Sequence, residues 1–170
     1  MGKCYYCGKS LNFISKHTCA CCGKIMCSKC IVKVHYKEHL NELLNSVDED
    51  YVEPKSKMFG SYYLCKSCSP QYEFKYNKML EAFEYHEDVI IVSENYLGDK
   101  FNRLKRIKKL QTTFYTDKHD AQEDIKTMAK YLMCTHVLDF YFKREENEER
   151  TSKGGTHIYS TWSAIGVAAK

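Results

Sequence analysis

No apolar stretch in this 170-residue chain approaches the roughly 20 residues that cross a bilayer. Only Met1, Gly2 and Lys3 precede the first cysteine, which leaves no space for an apolar signal segment. A cytoplasmic protein is therefore expected. Glycine is sparse, at eight residues, and forms no phosphate-cradling loop. Paired carboxylates, a nucleophile beside a base and an open metal position are also missing, so a non-catalytic role is expected.

Against these absences stand ten cysteines. Eight form Cys-x-x-Cys pairs, Cys4/Cys7, Cys19/Cys22, Cys27/Cys30 and Cys65/Cys68, separated by eleven, four and thirty-four residues. Two residues between thiolates let both sulfurs turn onto one metal, and two such pairs complete a tetrahedral site. In a reducing compartment this pattern reads as zinc ligation, with a disulfide framework as the competing reading. Two Zn²⁺ per chain are expected. Pairs two and three are too close to wrap one ion around a core. A cross-braced arrangement is therefore expected, in which Cys4, Cys7, Cys27 and Cys30 hold one ion and Cys19, Cys22, Cys65 and Cys68 the other; sequential pairing is the alternative. Each structural zinc contributes on the order of 10 kcal/mol, stability that a segment of this size lacks by burial alone.

The formal charge of +4 is uneven: residues 1–72 carry ten lysines against six carboxylates, and residues 73–170 carry sixteen charges of each sign. Bound thiolates would bring the metallated chain close to neutral. Nucleic-acid affinity rests on clustered positive charge, so nucleic acid is not an expected partner.

The text from Cys4 to Cys30, with Cys22-Gly23-x-x-x-Cys27-x-x-Cys30 at its centre and Tyr63-Leu64-Cys65-Lys-Ser-Cys68 closing it, resembles a FYVE-type zinc finger over residues 1–72. Gly23 follows a knuckle and permits the positive φ such turns often need. The resemblance implies phosphatidylinositol 3-phosphate recognition, but the family's W-x-x-D element and most of its basic run are missing. Lys16 and His17 remain as the candidate phosphate contacts, so weak or no lipid binding is expected. Leu11, Phe13 and Ile14 fall where the family carries its membrane-inserting loop, and three apolar residues there equally suit packing over the knuckle.

Between the third and fourth pairs, spacing predicts a helix through Ile31, Val34, Leu43 and Leu44 that carries His35 and His39 four apart. Cys21 is a spare thiol beside the second pair. A helix is predicted over Tyr72–Glu87 as a connector, and residues 88–170 read as an α+β domain. Its expected parts are a strand at Val89–Val92, a basic loop over Gly98–Lys109, a strand at Leu110–Thr116, and a helix through Ala121, Ile125, Met128 and Leu132 capped by Thr116 or Asp117. Strands over Val137–Lys143 and Thr156–Ala169 then flank a loop over Arg144–Gly155. An antiparallel sheet covered by the helix is expected. This half resembles the small bacterial YbjQ-like family of heavy-metal-binding proteins that assemble into rings. The matching text is Val89–Gly98, the Ala121–Cys134 helix, the strand that follows it, and Trp162-Ser-Ala-Ile-Gly166-Val-Ala. Cys134 and His136 stand after the helix, where a metal role competes with burial.

The fold class expected is thus α+β: a cross-braced, FYVE-like finger at 1–72, a connecting helix at 73–87 and an antiparallel α+β domain at 88–170. The expected function is a zinc-binding interaction or scaffold protein with a protein partner. In that reading the second domain serves oligomerisation or a second partner; the alternatives are a RING-like ubiquitin-ligase module and phosphoinositide-dependent membrane recruitment.

Overall fold

Where cysteines recur every few residues no long element has room, and the chain begins with two-residue ladders. Strand β1 (Gly2–Lys3) pairs with β2 (Ser10–Leu11), and β3 (His17–Thr18) with β4 (Ile25–Met26), both antiparallel. The computed structural model describes residues 2–55, 61–85, 88–96 and 98–170. The chain divides into two compact units, Met1–Leu80 and Glu81–Lys170.

In the first unit β5 (Ile31–His35) pairs antiparallel with β6 (Ser61–Cys65), Ile31 opposite Cys65, and α1 (Glu38–Val47) lies between them in sequence. The helix expected through Ile31 and Val34 is corrected here. Ile31-Val-Lys-Val-His35 is a β-branched run that fits a pleated surface, and the helix starts only at Glu38. His35 and His39 therefore stand on different elements, and His35 Nδ1 shares a hydrogen bond with Ser61 Oγ at 3.0 Å.

Helix α2 (Ser69–Glu84) begins directly after Cys68, because Pro70 in its first turn gives up an N–H that has no intrahelical partner anyway. Glu87, the end of the expected helix, lies outside the described residues. The first turns of α2 are not a bare connector. Tyr72 packs edge-on against Tyr62 at 5.4 Å and stacks on Tyr76 at 5.8 Å, while the Lys37 N–H donates to the Tyr76 hydroxyl at 2.8 Å.

In the second unit β7 (Ile90–Ser93), β8 (Arg106–Gln111), β9 (His136–Arg150) and β10 (Thr156–Ala169) form one sheet in the order β7-β9-β10-β8. The sheet is mixed, not antiparallel throughout: β7 runs parallel to β9, and only β10 opposes its neighbours. The expected Gly98–Lys109 loop holds a 3-10 turn at Asp99–Phe101 and then enters β8 at Arg106, four residues before the strand start expected. Basic residues mark an edge strand, whose one deeply buried side chain is Leu110. Residues 144–150, expected as loop, continue β9 and pair with Thr156–Trp162, so only the short turn between Arg150 and Thr156 remains.

Helix α3 (Lys118–Tyr131) is capped by the Asp117 carboxylate, which accepts from the His119 N–H at 2.8 Å. It buries Ala121, Ile125, Met128 and Ala129 completely. A Cβ at Gly166 would stand 2.4 Å from Val137 Cγ1, so glycine lets β10 approach β9 and Ile125 of α3 closely. The helix ends without glycine: Met133 takes φ 59° and the Cys134 N–H returns to the Ala129 carbonyl at 2.9 Å. Among the described residues no helix is long and apolar enough to cross a membrane.

Candidate metal centres

Each centre is assembled from hydrogen bonds that turn a pair of cysteines. In Cys4-Tyr-Tyr-Cys7-Gly8-Lys9 the Cys4 N–H donates to the Lys9 carbonyl (2.8 Å) and the Gly8 N–H to the Cys4 carbonyl (2.9 Å). Cys19-Ala-Cys-Cys22-Gly23-Lys24 repeats both bonds, each at 2.9 Å. Gly8 and Gly23 share a positive φ, 69° and 71°, which the spacing indicated at Gly23. The other two pairs are tighter turns, with the Cys30 N–H on the Cys27 carbonyl and the Cys68 N–H on the Cys65 carbonyl. They flank the β5–β6 ladder, so Cys30 precedes one strand and Cys65 ends the other.

The eight sulfurs gather into two interleaved quartets, Cys4, Cys7, Cys27 and Cys30, and Cys19, Cys22, Cys65 and Cys68, each with all four Sγ atoms within 4.8 Å of one another. Cys7 and Cys27 sulfurs are 3.7 Å apart, and Cys22 and Cys65 sulfurs 3.8 Å. A tetrahedron of thiolates about 2.3 Å from one metal places its sulfurs about 3.8 Å apart, so the donor sets fit a four-coordinate ion. Sequential pairing of neighbouring cysteines does not describe these quartets.

The electrostatics also call for a cation. Burial works to raise the Cys4 thiol, but backbone N–H groups of Cys7, Cys27 and Tyr6 outweigh it and hold it at about 6. Its quartet partner Cys30 keeps its proton, donates a hydrogen bond to Cys27, is buried, and is pushed up to about 12. In the second quartet burial again opposes ionisation of Cys65, yet the Tyr6 hydroxyl and the Cys68 and Ser67 N–H groups bring it down to about 6. Burial and the neighbouring sulfurs drive Cys68 upward. Each quartet thus keeps protons where a divalent cation would neutralise the thiolates.

Other residues singled out in the sequence are placed differently. Cys21 stands beside the second quartet but outside it, its thiol raised by burial to about 11. Cys134 is buried, and it joins His136 in no metal-ligand group among the described residues. Lys16 is exposed; His17 is engaged, with Nε2 at 3.2 Å from Ser28 Oγ and its ring against Tyr63 at 5.4 Å. Leu11 is buried, whereas Phe13 and Ile14 are 95% and 88% exposed at the tip of a turn closed by the Ser15 N–H on Asn12 Oδ1. Tyr5, Tyr6 and Ser67, which sequence spacing gave no reason to single out, reach across between the quartets. No family model, curated protein or solved structure matches the chain.

Proposed function

We propose that this chain is a non-catalytic protein that holds two structural zinc ions, its first unit presenting an interaction surface and its second serving a partner or self-association. The observation that carries the reading is the pair of all-cysteine quartets at tetrahedral spacing. Soft thiolate donors in that geometry favour zinc, and four protein ligands leave no position for a catalytic water. For the second unit, support lies in the exposed ribbon of β9 and β10 beyond Arg144, an extended surface that carries no metal-ligand group. Elemental analysis of the purified protein should give two zinc per chain, and Cys4→Ser with Cys7→Ser should remove one of them. Iron in place of zinc, a single metal in the unaltered chain, or cysteine pairs joined as disulfides under non-reducing mass analysis would overturn the reading.

A second reading, attachment to membranes, is favoured by Phe13 and Ile14 standing outward beside Lys16. With His17 engaged elsewhere, one lysine offers little phosphate recognition, since charge-assisted contacts gain by number. In co-sedimentation with phosphatidylcholine vesicles, the expected result is weak binding, lost in the Phe13→Ser, Ile14→Ser double variant. Adding phosphatidylinositol 3-phosphate to the vesicles should give little gain. Tight, salt-sensitive binding abolished by Lys16→Ala would instead make phosphate recognition the main term.

A further inference from the structure

Both residues inside the first knuckle reach the other quartet. The Tyr5 N–H donates to the Ile25 carbonyl at 2.9 Å, and the Lys24 ammonium lies 4.0 Å from the Tyr5 ring centroid. Lys24 closes the Cys19/Cys22 knuckle, so Tyr5 holds one half of the second quartet. Tyr6 points to the other half. Its hydroxyl lies 2.7 Å from Ser67 Oγ, inside the Cys65–Cys68 turn. Cys4 and Cys7, which belong to the first quartet, therefore flank two side chains that hold both knuckles of the second.

We propose that Tyr6 couples the two metal sites: an ion on the first quartet fixes the Cys4–Cys7 knuckle, and the fixed knuckle delivers the Tyr6 hydroxyl to Ser67, which holds the Cys65–Cys68 turn in its ligand-presenting shape. Outer partners of this kind hold ligands in their binding orientation, and their loss typically costs 10–100-fold in metal affinity. Loading of the first site therefore strengthens the second, and by linkage the second strengthens the first equally. The sequence gives the role a simple chemical requirement, a phenol hydroxyl at position 6, which phenylalanine lacks while keeping the ring.

The inference rests on the two-metal reading, and cadmium substitution separates the two. The full chain loaded with ¹¹³Cd should show two resonances, assigned by losing one of them in Cys27→Ser with Cys30→Ser; fewer than two in the unaltered chain would sink the metal reading itself. In Tyr6→Phe the second-site resonance should shift and disappear at about tenfold lower competing chelator, while the first-site resonance keeps its shift. Disabling the first site through Cys27→Ser with Cys30→Ser should weaken the second site by a similar factor, and adding Tyr6→Phe should then do nothing more. Unchanged second-site affinity in Tyr6→Phe, or losses that multiply in the combined variant, would overturn the coupling. If the combined variant holds no metal at all, the Tyr6→Phe comparison alone decides.

Discussion

Stripping the metal with a strong chelator is expected to unfold the first unit and leave the second folded. Two structural ions at about 10 kcal/mol each outweigh the roughly 3–5 kcal/mol that a core of this size supplies. The apolar cluster of the first unit is also tied to its knuckles, since Leu64 and Cys65 are consecutive in β6 and both fully buried. Releasing Cys65 frees the strand that carries Tyr62. The second unit owes nothing to thiolates: Ala121, Ile125, Met128, Val137, Ala164 and Ala168 are fully buried around α3 and the sheet. The chain's sole tryptophan makes the separation readable. Trp162 lies in β10, with the Lys118 ammonium 3.9 Å from its ring centroid, so its emission reports the second unit alone. On chelation, amides over Cys22–Cys30 should exchange freely and the tyrosine signal should become that of solvated phenols, with Trp162 emission and the protection of α3 unchanged. A shift of Trp162 at the same chelator concentration would show that the two units share one cooperative core.

The contrast between the units also explains what was legible beforehand. Which thiols can gather is set by residue type and short spacing, so the two quartets and their interleaving follow from counting between cysteines. Helix α3 was legible for a similar reason: its apolar interval of three and four is local, and Asp117 marks its start. Strand β5 was not, because Ile31-Val-Lys-Val-His35 alternates over too few residues to separate a strand from a helix, and its partner β6 lies some thirty residues away. The start of β8 was hidden by its charges, since an edge strand needs little apolar sequence, and the continuation of β9 over residues 144–150 was hidden by a run of glutamates whose backbone pairing the side chains do not announce. The parallel placement of β7 depends on which strand it meets across more than forty residues, and no local pattern carries that. Tyr6 lies in the same class: its role comes from the Cys65–Cys68 turn sixty residues onward.

Asn41 is the most consequential residue of this hidden kind, and replacing it with alanine is expected to cost the first unit about 2–4 kcal/mol. It sits on the buried face of α1 at 1% exposure, in a place where the helical pattern calls for leucine. Its Oδ1 accepts from the Tyr51 hydroxyl at 2.7 Å and the Tyr72 hydroxyl at 3.1 Å, and its Nδ2 donates to the Tyr62 hydroxyl, also at 3.1 Å. Tyr62 in turn donates to Glu53 Oε1 at 3.1 Å. One side chain thus satisfies phenols from β6, α2 and the loop after α1. Burial raises all three phenols above their ordinary range and keeps them as neutral donors, which is the form this network needs. Alanine leaves two buried hydroxyls without their acceptor and opens a small void. Asn41→Leu fills the space but strands the same hydroxyls, so it too should lose about 2 kcal/mol. Asn45, one turn further on and exposed, bonds Glu53 Oε2 at 3.0 Å, and Asn45→Ala should stay within about 0.5 kcal/mol of the parent. Denaturant unfolding of the zinc-loaded chain, followed by tyrosine signal with Trp162 as internal reference, measures each loss. Asn41→Ala and Asn41→Leu both matching Asn45→Ala would mean that the tyrosine network contributes nothing, and that the metal alone specifies the first unit.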